Sequence, residues 1–191
     1  MRKGKKEEPL PQVEGYVAEK KTISILWANL LAVVLFAVVA VAGWAIMYSL
    51  WDNLHFGGID SLIFLVGIVL GLVVHELVHG VTWLLLLKKG FSHLSFGLMT
   101  GAVYCHIDVP MDKRKYVIGA LMPLLLVGVV PWVAAILSGS LTWMLVGAVM
   151  ISGAIGDIMI VWTLRSESAS TLVYDHPSEV GCYVYHKTEQ Q

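Results

Sequence analysis

The apolar residues of this chain are gathered into four long runs that short polar segments separate. The runs cover residues 23–51, 59–87, 116–137 and 141–164. Each run exceeds the roughly 20 residues that a helix needs to cross the hydrocarbon core of a bilayer. Because a helix satisfies its own backbone polar groups in hydrocarbon, the pattern predicts four transmembrane helices.

The polar segments predict one membrane domain and two tails. Residues 1–21 mix Lys, Glu and Pro without periodicity and are interpreted as a cytoplasmic tail. Residues 22–165 contain the four spans, and residues 166–191 form a second cytoplasmic tail. We therefore expect a single four-span domain.

The connection between the second and third spans has a different pattern. In residues 91–110, polar and apolar positions roughly alternate on each side of Gly97 to Gly101. This alternation predicts a short β-hairpin with glycines in its turn. Its free edge could accept an extended peptide, or the hairpin could simply pack on the membrane face. The predicted fold class is an all-α membrane protein with about four transmembrane helices and a short cytoplasmic β-hairpin.

Composition and charge support membrane insertion and give an orientation. Charged residues make up 14% of the chain and the mean hydropathy is +0.74, whereas soluble domains carry about 25% charged residues. Of the 13 Lys and Arg residues, six precede the first run, five lie between the second and third, and two follow the fourth. The positive-inside rule then predicts a multi-pass protein of the cell membrane with both termini cytoplasmic. A net charge of −1 suggests no nucleic-acid partner.

Two further readings of the sequence bear on this topology. A signal peptide cleaved near Ala40-Val41-Ala42 is disfavoured, because about 20 polar residues precede the first run and the run continues past that point. Cys105 and Cys182 both fall on the predicted cytoplasmic side, where a structural disulfide is not expected.

Candidate chemistry lies in the second run, which contains His75-Glu76-Leu77-Val78-His79. Two histidines four residues apart lie on one helix face and can bind one Zn²⁺. Glu76 can then reach a water on the open side of the metal and act as its general base. The alternative is a structural polar cluster, but ionisable residues inside a membrane span are costly and usually functional.

A third ligand is expected at matching depth. At 1.5 Å per residue, His79 lies about 13 Å from the cytoplasmic end of its span and Asp157, the acidic residue of the fourth run, about 12 Å. Asp157 is therefore the favoured third ligand, with orientation of a histidine ring as its alternative role. Other candidates on the same side remain open: His93, His106, Asp108, Asp175 and His176.

Four of the polar residues are further candidates for contacts with substrate or ligands. Asn29, near the inner end of the first span, could bond a substrate or hold two helices together. Asp175 and His176 could cap the cavity, and His106 could support the site or be an ordinary loop histidine.

The sequence resembles the small bacterial membrane proteins classed as zincin peptidases of unassigned function. The resemblance covers about residues 70 to 185. It is carried by His75-Glu76-Leu77-Val78-His79-Gly80, Tyr104-Cys105-His106, Pro110, Tyr116, Gly119-Ala120-Leu121-Met122-Pro123, Gly156-Asp157, Asp175-His176-Pro177 and Gly181-Cys182. It implies a zinc-dependent peptidase.

The arrangement is more distantly similar to the core of site-2 proteases, which are intramembrane metalloproteases. That similarity implies Asp157 as a zinc ligand, although Gly156-Asp157-Ile158 replaces the usual residues around that aspartate. The expected function is a membrane-embedded zinc metalloprotease that acts on membrane proteins or peptides. The alternative is a zinc-binding scaffold or partner subunit without hydrolysis. A zinc transporter is less favoured, because the outer halves of the spans offer few polar residues.

Overall fold

The computed structural model describes residues 10–99, 102–177 and 179–188. Within these residues, four helical spans are long and apolar enough to cross a membrane. Their segments are α1 (Ile25–Leu50), α2 (Gly58–Leu87), α3 (Lys113–Pro123), a π-helical segment (Leu124–Val129), α4 (Val130–Ser138), α5 (Leu141–Gly153) and α6 (Ile155–Thr163). The predicted spans are confirmed as helices, with bounds that differ by three residues or fewer.

The third and fourth spans are each divided. In the third, Pro123 and Pro131 lack the N–H that an α-helix needs, and the π-helical segment lies between them. In the fourth, the helix is interrupted at Ala154. Helix α6 begins at Ile155, two residues before Asp157, which therefore lies in its first turn. The sequence predicted a span over residues 141–164, which is confirmed, but it gave no sign of this interruption.

Helix α5 lies at the centre of the helical bundle. It packs against α1, α2 and α4, whereas α6 packs against α1 and α3. Close approach to α4 depends on Gly147, where a Cβ atom would lie 2.8 Å from the backbone of Trp132. Large apolar side chains on α1 and α2 point outward, including Val33 at 69% exposure and Leu65 at 61%. An apolar surface of this extent suits contact with lipid and not with water.

Two antiparallel sheets lie at one end of the bundle, so the expectation of an all-α fold with a hairpin was too narrow. A two-stranded sheet pairs β2 (Leu94–Met99) with β3 (Ala102–Ile107). A second sheet has the order β1-β6-β5-β4. Its strands are β1 (Tyr16–Thr22), β4 (Met111–Asp112), β5 (Leu172–Asp175) and β6 (Gly181–Lys187).

Two predictions for the polar segments need correction. Residues 1–21 were expected to form a cytoplasmic tail without periodicity, but residues 16–21 belong to β1, which pairs with β6 along its whole length. Residues 1–9 lie outside the described part of the chain. The hairpin prediction is confirmed, but Gly97 lies within β2 opposite Tyr104 and not in the turn. Gly101 lies outside the described residues.

A buried apolar cluster joins the sheets to the ends of three helices. Trp83 and Leu84 of α2, Tyr116 of α3 and Leu164 just after α6 pack in it against strand residues such as Val173. The cluster therefore fixes the sheets directly beneath the part of the bundle that carries the His75–His79 motif.

Candidate metal centre

Three of the predicted ligands come together between α2 and α6. His75, His79 and Asp157 each offer a ligand atom, and these atoms all lie within 4.8 Å of one another. Nε2 of His75 lies 3.3 Å from Oδ2 of Asp157, and Nε2 of His79 lies 3.5 Å from Oδ1. Both imidazole side chains are buried, while the Asp157 side chain is 22% exposed. The three side chains thus converge on one point at the edge of an open space.

The backbone of α3 sets the orientation of His79. Its Nδ1 lies 2.9 Å from the carbonyl oxygen of Gly119, and both atoms are buried. Because a carbonyl oxygen can only accept, Nδ1 carries the proton and donates it. A neutral His79 ring therefore presents the lone pair of Nε2 to Asp157.

This geometry suits a cation between the side chains. The Nε2 lone pair of His79 and a carboxylate oxygen of Asp157 repel each other unless a proton or a metal ion lies between them. Two imidazole nitrogens and one carboxylate oxygen are a ligand set that catalytic zinc sites use, with a fourth position left open. The residues therefore fit zinc.

Glu76 lies in the same cavity as the three ligands but is not one of their group. Strand β3 packs against α2, and its residue Cys105 lines the same cavity. This contact brings the edge of the hairpin against α2 beside the motif. Glu76 therefore faces the cavity in which the three ligands converge.

The cavity has a volume of about 180 Å³ and lies between the helices and the sheets. Gly153 and Gly156 line it, and a Cβ atom at either position would meet nothing within 4 Å. The small residues beside the break at Ala154 thus leave space next to Asp157. Residues of β3, of β5 and β6, and of the connection between β5 and β6 close the other side: Val103, Tyr104, Cys105, Asp175, His176, Glu179, Val180 and Gly181.

A buried hydrogen-bond network lies below the cavity and centres on Asp175. Its Oδ1 accepts from the hydroxyl of Tyr116 at 3.1 Å, and its Oδ2 lies 3.1 Å from Nδ1 of His106. Nε2 of His106 lies 3.5 Å from the hydroxyl of Tyr174. Asp175 therefore ties β3, β5 and α3 together, and the role of His106 in this structure is to bond Asp175 and not to line the cavity.

His176 has a defined position at the cavity wall. Its Nδ1 accepts from the backbone N–H of Glu179 at 2.9 Å, and its ring stacks on Tyr183 with centroids 4.8 Å apart. Asp175 and His176 both line the cavity, and their capping of it stays a prediction.

The remaining candidates lie elsewhere. Asn29 is exposed on α1, outside the set of described residues that line the cavity. His93 and Asp108 bond each other at 2.7 Å on an exposed part of the hairpin. Neither belongs to the group formed by His75, His79 and Asp157.

A second cluster of metal-binding residue types lies on the sheet surface. Glu19, Glu167 and His186 have ligand atoms within 4.8 Å of one another. However, Glu167 is bonded to Lys21, and His186 is bonded to Glu19. These two ion pairs, the first part-buried and the second exposed, account for the cluster without a metal.

One site contact involves a backbone atom that residue types do not reveal, the Gly119 carbonyl. The sequence carries a partial signal for it, since Pro123 stands four residues after Gly119 and cannot donate to its carbonyl. That signal shows that the carbonyl lacks its helical donor, but it does not identify His79 as the partner.

Comparison with known proteins assigns the chain to a family. No curated protein and no solved structure matches the chain. The model of the family described as "Putative zincin peptidase" matches residues 68–172, which include the motif on α2, the hairpin and Asp157. Since that match covers more than half of the chain, the protein belongs to this family of zinc-peptidase-like proteins.

Proposed function

We propose that the protein is a membrane-embedded zinc metalloprotease that hydrolyses peptide bonds of membrane-associated substrates. The observation that carries the proposal is the convergence of His75, His79 and Asp157 in a cavity that Glu76 also faces. Membership of the zincin family supports a peptidase. The exposed apolar side chains of α1 and α2 support a site that a substrate reaches from the membrane.

His75, His79 and Asp157 would hold the zinc. Bound there, zinc supplies a Lewis acid that lowers the pKa of a water and polarises a peptide carbonyl. Glu76 accepts the proton of the attacking water and delivers it to the leaving nitrogen. The buried walls formed by Trp83 and Tyr116 exclude bulk water from this exchange.

The outer edge of β3 is suited to holding the substrate. The amide of Asp108 donates to the carbonyl of His93, which lies opposite it in the hairpin. In an antiparallel ladder every second pair of opposite residues is hydrogen-bonded, so the next hydrogen-bonded pair is His106 with Ser95. The N–H and C=O groups of Val103 and Cys105 therefore point away from β2, and both residues line the cavity. An extended peptide could pair with this edge beside Glu76.

Pairing with an edge strand requires an extended substrate. A transmembrane helix would have to unwind near the cytoplasmic face before its backbone could pair with β3. We therefore expect cleavage near the cytoplasmic end of a substrate span, with both termini of the enzyme on that side.

The variant Glu76→Gln tests the proposal. Membranes from cells that express the wild type or the variant are compared by labelling new peptide N-termini and identifying them by mass spectrometry. We expect new termini with the wild type and none with Glu76→Gln, while zinc binding is retained because Glu76 is not a ligand. Glu14→Gln, at an exposed site, serves as the control and should match the wild type.

Equal cleavage by Glu76→Gln and wild type would rule the mechanism out. Zinc binding without any new termini in the wild type would favour the scaffold alternative.

A further inference from the structure

The tautomer of His79 is set by one carbonyl group. Nδ1 donates to the Gly119 oxygen at 2.9 Å, so in the neutral ring Nε2 carries no proton and is directed toward Asp157. A histidine that ligates through Nε2 needs this tautomer, and a partner on Nδ1 fixes both the tautomer and the ring plane.

Carbonyl oxygens inside an α-helix are normally occupied. The oxygen of Gly119 would accept from the N–H of the residue four positions later, which is Pro123 and has none. The next N–H along the chain, that of Leu124, donates to Leu121. The helix thus leaves the Gly119 oxygen without its usual backbone donor, at the height of His79.

The fit between α2 and α3 brings the two groups together. A Cβ atom at residue 119 would overlap the indole of Trp83, so glycine is needed for this approach. The Trp83 ring stacks between His79 and Tyr116, with centroid distances of 5.4 and 5.6 Å. Its Nε1 donates to the Tyr116 carbonyl at 3.2 Å, which fixes the ring.

We propose that Pro123 is a positioning residue of the zinc site: it removes the N–H that would occupy the Gly119 carbonyl and so leaves that carbonyl to orient His79. The inference rests on the proposed zinc site. It assigns a role to a proline that touches neither metal nor substrate.

The variant Pro123→Ala tests this role, with Pro131→Ala as the matched control. Alanine at 123 restores an N–H that draws the Gly119 oxygen toward the helix axis. Because a carbonyl has two lone pairs, the bond to His79 weakens without disappearing. We expect the zinc affinity of the purified protein to fall about tenfold, at the low end for loss of a partner to a ligating histidine. Pro131→Ala restores an N–H that would donate to the carbonyl of Val127 and should leave the zinc affinity unchanged.

A second measurement separates positioning from general damage to the helix. In the zinc-free protein at alkaline pH, where the imidazole is neutral, ¹⁵N-histidine NMR reports the tautomer of His79, and its signal is assigned by its loss in His79→Asn. We expect a protonated Nδ1 in the wild type and a mixture of tautomers in Pro123→Ala. Lactic acid at position 123, which has alanine's side chain but an ester oxygen in place of the N–H, should restore the wild-type tautomer and affinity.

Each outcome bears on a different claim. Wild-type affinity and tautomer in Pro123→Ala would overturn the role of Pro123 while leaving the zinc site intact. Equal losses in Pro123→Ala and Pro131→Ala, without rescue by the ester, would also overturn it. Failure of the wild type to bind zinc would instead overturn the proposed function.

Discussion

Asp175 shows how a single side chain stabilises the region below the cavity. Its carboxylate bonds the buried hydroxyl of Tyr116 and the buried imidazole of His106. Replacing it with Ala leaves two buried donors without their acceptor, at a cost of about 1–3 kcal/mol each. We therefore expect Asp175→Ala to lower the free energy of unfolding by about 2–6 kcal/mol, measured by denaturation in mixed micelles.

Asp108 is the matched control, because it also bonds Nδ1 of a histidine but does so at the surface. Its side chain is 52% exposed and that of His93 is 35% exposed. An exposed pair contributes about 0–1 kcal/mol. Similar losses for Asp108→Ala and Asp175→Ala would contradict the importance assigned to burial.

At the scale of residues, the sequence predicted which side chains come together better than it predicted the groups to which they are hydrogen-bonded. The spacing of His75, Glu76 and His79 places two imidazoles on one helix face, and matching depth led to Asp157; the structure brings the three proposed ligands together. The bond from His79 to a backbone carbonyl could not be predicted from residue types. It depends on the distance between α2 and α3, which the contact of Trp83 with Gly119 determines.

Among the elements, β1 offers a test of how the sheet is held. The N–H of Ile23 donates to the carbonyl of Val180. Since every second residue of an antiparallel strand bonds its partner strand, the amide of Glu19 points to β6 and that of Ala18 points outward. Glu19→Pro removes a ladder donor, whereas Ala18→Pro removes an amide at the free edge. We expect faster amide exchange in β6 and faster proteolysis of residues 10–22 in Glu19→Pro.

Ala18→Pro controls for the general effect of proline. It should retain wild-type exchange rates at Val184 and Cys182, to which β1 is paired. If both variants, or neither, release β1, then the inferred register of its hydrogen bonds is wrong.

At the scale of elements, predictions from hydropathy succeeded and predictions from local pattern were mixed. The spans are long enough for their apolar character to decide their structure. Strand β1 reads Tyr-Val-Ala-Glu-Lys-Lys-Thr, and its stability comes from pairing with β6 at the far end of the chain. Long-range pairing of that kind leaves no signal in the local sequence. The break at Ala154 was likewise hidden inside a uniformly apolar run.

For the whole molecule, the proposed topology puts the two ends of the helical bundle on opposite sides of a membrane. Single cysteines introduced by Asn53→Cys and Ser92→Cys test it, using a membrane-impermeant maleimide on right-side-out and inverted bacterial vesicles. We expect Asn53→Cys to react in right-side-out vesicles and Ser92→Cys in inverted vesicles. The reverse pattern, or reaction of both from one side, would contradict the topology.

The native thiols should not obscure this experiment. Burial raises the pKa of both Cys105 and Cys182 to about 12. Since the thiolate is the reactive form, little of either cysteine reacts at neutral pH. The wild type, labelled in parallel, measures any remaining background.

The zinc site itself is the central claim, and the metal content of the purified protein tests it most directly. Zinc is measured by mass spectrometry in detergent-purified wild type, His79→Ala, Asp157→Ala and, as the control, Asp108→Ala. We predict stoichiometric zinc in the wild type and in Asp108→Ala, and loss of the metal in both ligand variants. Zinc retained in Asp157→Ala but lost in His79→Ala would contradict the assignment of Asp157, and zinc retained in His79→Ala would contradict the site as a whole.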